Sequence, residues 1–141
     1  MRILSLDHLV LTVADPDRTV AFYHGILGME ETVFGGGRRA LSFGSQKINL
    51  HTAGAEFQPA AHKPTPGSGD LCFLVESLED VIARLREAGV EIEEGPVTRT
   101  GACSPLRSVY IRDPDGNLVE LSEPQAVVIA GADDHAGEAG A

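Results

Sequence analysis

Apolar and polar side chains alternate along residues 6–13, a pattern typical of a β-strand with one face buried. Apolar residues then recur at helical spacing. Asp15 suits the N-cap of this helix, Pro16 suits its first turn, and Gly28 suits a left-handed stop. Three more strand-like runs follow, with glycine-containing turns between them: residues 30–34, 39–43 and 47–52. The first half of the chain is therefore predicted to fold as a βαβββ unit.

The second half repeats this order of elements. A strand is predicted over residues 71–75, and Ser77 is expected to cap a helix that ends near Gly89. The remaining elements are predicted as strands at residues 90–93, 108–112 and 118–122, a loop at 98–105 and a turn at 113–117. Because internal repetition governs the whole fold, the second half is also assigned as βαβββ.

This repetition predicts an α+β fold in which two βαβββ modules form a curved mixed sheet around a cavity. The predicted organisation is one domain over residues 1–124, with module one at 4–52, a linker at 53–69, module two at 70–123 and a flexible tail at 125–141. Within that tail, residues 126–129 could add a short strand or helical turn.

Charge and composition narrow the function. The chain has 11 basic and 21 acidic residues, a net charge of −10, and no basic stripe, so nucleic-acid binding is not expected. It has neither a signal-peptide pattern nor an apolar run of about 20 residues, which predicts a cytoplasmic protein without a membrane span. Cys72 is expected to be a small buried hydrophobic residue, and Cys103 lies in a loop, so neither suggests a disulfide.

The repeat also aligns the residues best suited to bind a metal. It pairs His8 with Asp70 in the first strands of the modules, and Asn49 with Glu120 in the last strands. His51 lies two positions after Asn49 and therefore faces the same way. Imidazole and carboxylate ligands suit Zn, Mn, Ni, Co or Fe(II). Each residue alone is also compatible with a structural or solvent-facing role, and it is their repeat-related positions that favour a shared site.

Three further residues are candidates for substrate binding at the mouth of the cavity. Arg39, Arg99 and Tyr110 could hold an anionic or enediolate-like substrate, although each is also compatible with a surface or packing role. With His51 as the metal ligand, Asn49 is a candidate for substrate binding as well.

Three segments carry a resemblance to a known family: residues 7–13, 22–29 and 112–121. They resemble the vicinal oxygen chelate superfamily, which includes lactoylglutathione lyases, thiol transferases, extradiol dioxygenases and bleomycin-resistance proteins. The resemblance spans residues 5–123. Residues 46–54 and 95–102 are similar to the subgroup called glyoxalase domain-containing protein 5.

The resemblance implies a divalent metal on His8 and Glu120. Asp70 stands where the superfamily usually has His, and Asn49 stands where lactoylglutathione lyases have Glu, so His51 is an alternative fourth ligand. The implied function is a metal-dependent lyase, isomerase or dioxygenase that chelates a small oxygen-rich substrate and stabilises an enolate. Glu120 or Asp70 would move the proton. A homodimer is also implied.

Two other functions fit the same fold. The chain could be a non-enzymatic protein that binds or sequesters a small molecule such as an antibiotic, although no Trp, five Phe and two Tyr offer few rings for stacking. It could also be a dimeric, virulence-associated protein with a vestigial cavity. Metal analysis of the purified protein separates the enzyme from the binder.

Overall fold

The computed structural model of the protein describes residues 1–127. Residues 128–141 lie outside the described residues, and so does most of the predicted tail at 125–141, including the last two residues of the 126–129 run. The described chain divides into two units, Met1–Gly69 with Asp113–Asn117, and Asp70–Arg112 with the chain from Leu118 onward. None of the helices in residues 1–127 has the length and hydrophobicity needed to cross a membrane.

The first unit contains one helix and one four-stranded sheet. Its elements are β1 (His8–Val13), α1 (Pro16–Tyr23), β2 (Glu30–Phe34), β3 (Arg38–Phe43) and β4 (Gln46–Thr52). The strand order is β1-β4-β3-β2, with β1 parallel to β4 and the other neighbours antiparallel. The long crossover that joins the parallel strands contains α1, as expected for a parallel pair.

Helix α1 begins as the sequence predicts. The Asp15 side chain accepts a hydrogen bond from the Asp17 backbone N–H at 3.0 Å, and Pro16 occupies the first turn. Gly28, with φ of 82°, lies just beyond the helix in the left-handed region. The core of this unit is fully buried and apolar at positions such as Leu41 and Ile48. Burying a side chain of that size stabilises the fold by roughly 1.5–3 kcal/mol.

The second unit repeats this architecture. Its elements are β5 (Asp70–Leu74), α2 (Leu78–Glu87), β6 (Glu94–Thr100), β7 (Pro105–Arg112) and β8 (Leu118–Pro124). The strand order is β5-β8-β7-β6, again with a parallel first pair and antiparallel neighbours. Ser77 caps α2 by accepting a hydrogen bond from the Asp80 backbone N–H at 3.2 Å. Leu78 and Leu85 of this helix are fully buried.

The α+β fold of two βαβββ modules is confirmed, with two four-stranded mixed sheets and two helices. The predicted loop at 98–105 is shorter than expected, because β7 begins at Pro105 instead of residue 108 and β6 continues to Thr100. β6 itself covers Glu94–Thr100 instead of residues 90–93. β6 contains the Gly95-Pro96 pair, a dipeptide that usually interrupts a strand. β6 is an edge strand with an irregularity between Glu94 and Val97, so it tolerates a proline that cannot donate a hydrogen bond.

Strand register confirms the predicted equivalence of the two halves. In the first unit, His8 lies opposite Lys47 and Val10 lies opposite Asn49. In the second unit, Asp70 lies opposite Leu118 and Cys72 lies opposite Glu120. His8 therefore corresponds to Asp70, and Asn49 corresponds to Glu120. By the same register His51 corresponds to Ser122.

Candidate functional site

Each sheet packs one face against its helix and leaves the other face without one. Side chains alternate between these faces, so every second residue of a strand belongs to the helix-free face. On the first sheet that face carries His8, Phe34, Arg38, Lys47, Asn49 and His51. On the second sheet it carries Asp70, Cys72, Arg99, Ser108, Tyr110, Glu120 and Ser122. Both sets are mainly polar, which marks each of these faces as the candidate functional surface of its unit.

His8 is held in a form that suits metal binding. Its Nδ1 lies 2.9 Å from Asp7 Oδ2, and the imidazole is 43% exposed. Because a carboxylate only accepts hydrogen bonds, Nδ1 is the donor in this contact, and Nε2 is the ring nitrogen left for a metal. A carboxylate on the second nitrogen is the usual support of a metal-binding histidine.

Asn49 presents an oxygen that has no partner. Its Oδ1 is buried and accepts no hydrogen bond within the described part of the chain. Asn49 lies opposite Val10, two residues beyond His8 along β1, so the two side chains are diagonal neighbours on the same face. A buried amide oxygen without a partner is costly, and a ligand hydroxyl or a cation would satisfy it.

His51 lies apart from His8. It pairs with Thr12, whereas His8 pairs with Lys47, so four residues of β4 separate them, about 13 Å of strand. The His51 ring is 8% exposed and packs edge-on against the Phe57 ring, with 5.6 Å between their centroids. The structure therefore brings Asn49 towards His8 and leaves His51 in an aromatic contact.

Ser122 is the centre of a hydrogen-bonded network on the second sheet, and this network includes Glu120. Ser122 Oγ donates to Glu120 Oε2 at 3.2 Å. The same Ser122 oxygen lies 2.6 Å from Ser108 Oγ and 3.2 Å from Cys72 Sγ. These short contacts fix one oxygen of the Glu120 carboxylate.

Tyr110 and Arg99 extend the network. Tyr110 lies opposite Glu120, and its hydroxyl accepts a hydrogen bond from Arg99 Nε at 2.9 Å. Arg99 Nη2 also donates to Glu94 Oε2 at 3.1 Å. Burial raises the pKa of Tyr110, and the charge and hydrogen bonding of Glu120 raise it further, while Arg99 opposes this. Tyr110 therefore keeps its proton at neutral pH and can donate it towards Glu120.

Asp70 and Cys72 complete the second set. Although the residue is exposed, partial burial of its sulfur raises the pKa of the Cys72 thiol, and the charges of Glu120 and Asp70 add to the increase. The expectation that Cys72 is buried is wrong, because the residue is exposed. Leu71 and Phe73 are the strand residues that face the helix, while Cys72 faces the polar side. Residues 71–74 of this strand are all apolar, so the sequence did not show which of them face the helix.

Arg39 does not belong to the candidate site. It lies opposite Leu50, on the face that packs against α1. Its guanidinium contacts Asp17 at 2.7 Å and Glu31 at 2.9 Å. These carboxylates raise its pKa, the Asp17 hydrogen bond most of all. Sequence analysis placed Arg39 at the mouth of the cavity, but the residue of β3 that lies on the helix-free face is its neighbour Arg38.

Sequence reasoning missed four residues on the helix-free faces or against them: Phe34, Arg38, Phe57 and Ser122. It also passed over Lys47. Strict alternation from Asn49 along β4 places Lys47 on the same face, so the signal for Lys47 was present. Phe57 lies in the segment between β4 and β5 and carried no recognisable pattern.

The donor atoms fit a divalent metal in type. His8 offers an imidazole nitrogen, Asn49 an unpartnered amide oxygen, and Asp70 and Glu120 carboxylate oxygens, a set suited to a borderline or hard cation. No cluster of three or more His, Cys, Asp or Glu side chains that could hold a metal ion is found in residues 1–127. Asn49 is not one of these four residue types, so its amide oxygen would be an additional ligand.

Similar proteins place this architecture in a family. The model of the glyoxalase/bleomycin resistance protein/dioxygenase superfamily matches residues 5–121. The glyoxalase domain-containing protein RDO1 of Mycosarcoma maydis is 55% identical over 126 residues, 89% of this chain and 71% of that protein. Virulence protein STM3117 of Salmonella typhimurium is 53% identical over 119 residues, 84% of this chain and 83% of that protein.

Solved structures agree. The crystal structure of STM3117 has a TM-score of 0.87 at 52% identity, covering 89% of this chain and 100% of that one. An antibiotic binding protein from Streptomyces, TnmS3, shares the fold with a TM-score of 0.68 at 23% identity, covering 89% of this chain and 99% of that one. The chain therefore belongs to the glyoxalase/bleomycin resistance protein/dioxygenase superfamily.

Proposed function

We propose that the protein is a metal-dependent enzyme of the glyoxalase type, which acts on a small oxygen-rich molecule and uses Glu120 to move a proton. Its ligands to the metal are His8 and Asn49 from the first unit and Asp70 and Glu120 from the second. Membership of the glyoxalase domain-containing protein 5 subgroup is part of the proposal. The observation that carries it is the position of Glu120, which occupies the strand-register equivalent of Asn49 and is supported by hydroxyl groups.

The residues of the second sheet are arranged for proton transfer. Ser122 holds Glu120 Oε2, which leaves Glu120 Oε1 for a proton or a metal. Tyr110 stays protonated because its pKa is raised, and Arg99 orients its hydroxyl. A bound divalent cation would act as a Lewis acid on neighbouring substrate oxygens. Asp70 supplies a second carboxylate on the same sheet face.

A homodimer in the cytoplasm completes the proposal. Both cysteines are free, which agrees with a reducing compartment. Light scattering of the purified protein, in the presence and absence of metal, tests the dimer.

Glu120→Gln tests the proposed enzyme. The amide keeps the size of the side chain but cannot hold the charge, so we expect Ni²⁺ and Mn²⁺ affinity to fall about 10- to 100-fold and any turnover to be lost. Isothermal titration calorimetry on metal-stripped protein measures the affinity. Glu91→Gln, at an exposed position between α2 and β6, is the matched control and should bind as the original protein does.

The competing proposal is a non-enzymatic binder of a small molecule. Two contacts on the first sheet favour it, because Phe34 and Phe57 each stack with a basic side chain and could stack with a ligand. The calorimetry separates the two proposals. If Ni²⁺, Mn²⁺, Zn²⁺ and Co²⁺ all fail to bind, or if Glu120→Gln binds them unchanged, the metalloenzyme is excluded and the binder is favoured.

A further inference from the structure

Two basic residues of this acidic chain lie half-buried without a carboxylate partner. The chain has 11 Lys and Arg residues, all within the described range. Ion pairs hold Arg39, Arg84, Arg99, Arg107 and Arg112. The basic residues without a recorded ion pair are exposed, except for Arg38 and Lys47, which are half-buried in the described structure. Partial burial of a cation without a carboxylate partner is costly. A protein of net charge −10 has many carboxylates, so the lack of a partner for these two cations calls for an explanation.

Each of these cations is stacked on an aromatic ring. The Arg38 guanidinium carbon lies 4.5 Å from the centre of the Phe57 ring. The Lys47 ammonium lies 3.9 Å from the centre of the Phe34 ring. Such stacking partly compensates the loss of water around a cation but leaves its charge unneutralised.

The two cations belong to one neighbourhood of the first sheet. Phe34, which carries the Lys47 ammonium on its ring, is the register partner of Arg38 across the β2–β3 pair. Although Lys47 lies four residues from the register position of Arg38 along β4, its ammonium therefore reaches the strand pair that carries Arg38. We call Phe34, Arg38, Lys47 and Phe57 the cation–aromatic cluster.

Stacking also prepares Arg38 to bind a ligand. When a ring covers one face of a guanidinium, its N–H groups remain directed outwards in the plane of the group. The Arg38 guanidinium makes no hydrogen bond within residues 1–127, so this edge is free. A planar carboxylate matches that edge with two parallel hydrogen bonds, which a lysine alone cannot supply.

We infer that the cation–aromatic cluster binds the carboxylate of a small organic anion, with Arg38 as the bidentate contact and Lys47 as the second charge. The cluster lies on the same sheet face as His8 and Asn49. The anion is accordingly the substrate of the site described above, an assignment that rests on the proposed function. The anion binding itself requires no metal.

Malonate is the probe, and its neutral diamide, malonamide, is the matched control ligand. We expect metal-free full-length protein to bind malonate with a millimolar dissociation constant and not to bind malonamide. Arg38→Gln should weaken malonate binding at least tenfold, and Lys47→Gln should weaken it less, because only Arg38 makes two charge-assisted hydrogen bonds. Arg18→Gln and Lys63→Gln, at exposed basic positions, should leave it unchanged.

Amide chemical shifts measured by NMR during the malonate titration locate the site without any substitution. Changes centred on β3 and β4 near Arg38 and Lys47 support the inference. Changes centred elsewhere, equal binding of malonamide, or an unchanged affinity in Arg38→Gln would overturn it. The shift map keeps the inference testable should Arg38→Gln fail to fold.

Metal titrations of the same variants separate this inference from the proposed enzyme. Arg38→Gln should keep its Ni²⁺ affinity, and Glu120→Gln should keep its malonate affinity. If malonate binds through Arg38 while no metal binds, the cluster is correct and the metalloenzyme is wrong. If metal binds through Glu120 while malonate affinity does not depend on Arg38, the metalloenzyme is supported and the cluster is wrong.

Discussion

The helix-free faces of the two sheets share a strand register but differ in chemistry. The first presents the imidazole of His8 and the cations Arg38 and Lys47, and neither of these cations has a carboxylate partner within residues 1–127. The second presents carboxylates and hydroxyls, including Glu120 and Tyr110, joined in a hydrogen-bonded network. One half of the repeat is therefore equipped to attract an anion, and the other to accept a proton.

The helix-packed faces show why this difference is possible. Those faces hold the core, where Ile48 of the first sheet and Val119 of the second are fully buried. They correspond in register, since Ile48 pairs with Leu9 and Val119 pairs with Leu71. Packing restricts these positions to apolar residues, whereas the helix-free faces carry no such restriction. Function can therefore diverge on one face while the fold is kept by the other.

The largest expected effect is a loss of stability when a buried carboxylate of the first unit is removed. The turn Asp113–Asn117 belongs with the first unit, where the buried Asp113 carboxylate accepts hydrogen bonds from Tyr23 Oη at 2.7 Å and Asn117 Nδ2 at 2.8 Å. It also accepts from the backbone N–H groups of Asp115 and Asn117, both at 2.9 Å. Asp113→Ala should lower the free energy of unfolding by about 3–5 kcal/mol, because several buried donors lose a charged acceptor. Urea denaturation measures this.

Asp115→Ala is the matched control within the same turn. Asp115 is only half-buried, and one of its oxygens accepts a single bond from the Ala14 backbone N–H at 3.2 Å, while the other has no partner in the described chain. Its removal should cost about 1 kcal/mol. Equal losses from the two substitutions would contradict the assigned role of Asp113.

The next effect concerns alkaline stability. Burial first, and then the charge of Asp113, raise the pKa of Tyr23 far above its ordinary value. Because the folded pKa exceeds the unfolded one, this contribution is complete below about pH 10 and is lost as the pH rises further. Each pH unit above 10 should cost about 1.4 kcal/mol for this tyrosine.

Tyr23→Phe should remove that slope, while lowering stability at neutral pH by about 1.5–3 kcal/mol through loss of the hydrogen bond to Asp113. Denaturation at several pH values from 7 to about 11 measures both effects. Parallel pH profiles for the two proteins would show that Tyr23 does not contribute to the alkaline loss.

The smallest effect tests the network of the second sheet. Since Glu120 raises the pKa of Tyr110 and Arg99 lowers it, Glu120→Gln should lower that pKa and Arg99→Gln should raise it. The chain has only two tyrosines, so tyrosinate absorbance in a Tyr23→Phe background reports Tyr110 alone. Shifts in the same direction for both substitutions would mean that the two residues do not oppose each other at Tyr110.

Most of the fold could be predicted from the sequence because its signals are local. Asp15 and Ser77 mark helix starts through their own conformational preferences, and alternation marks the strands. The predicted stop of α1 at Gly28 is less accurate, because the helix ends at Tyr23. β6 was misplaced because an edge strand accepts the Gly95-Pro96 pair that would break an inner one. The repeat also gave the correct register equivalence of Asn49 with Glu120.

The candidate site was harder to predict because a shift of one residue along a strand moves a side chain to the opposite face of the sheet. Arg39 was chosen over its neighbour Arg38, yet Arg39 packs against α1 and Arg38 lies on the opposite face. Cys72 was misassigned for a related reason, since both faces of its strand are apolar in sequence. Phe57, which contacts His51, lies in the segment between β4 and β5, and this segment has no periodic pattern from which its position could be predicted.

We propose His8 and Asn49, and not His51, as the metal ligands on the first sheet. Visible absorption of Co²⁺ titrated into metal-stripped protein tests this proposal most directly, because the bands report ligation by nitrogen. We expect His8→Ala to weaken Co²⁺ binding about 100-fold and to change the spectrum, while His51→Ala keeps both affinity and spectrum. A spectrum lost in His51→Ala and kept in His8→Ala would contradict the account.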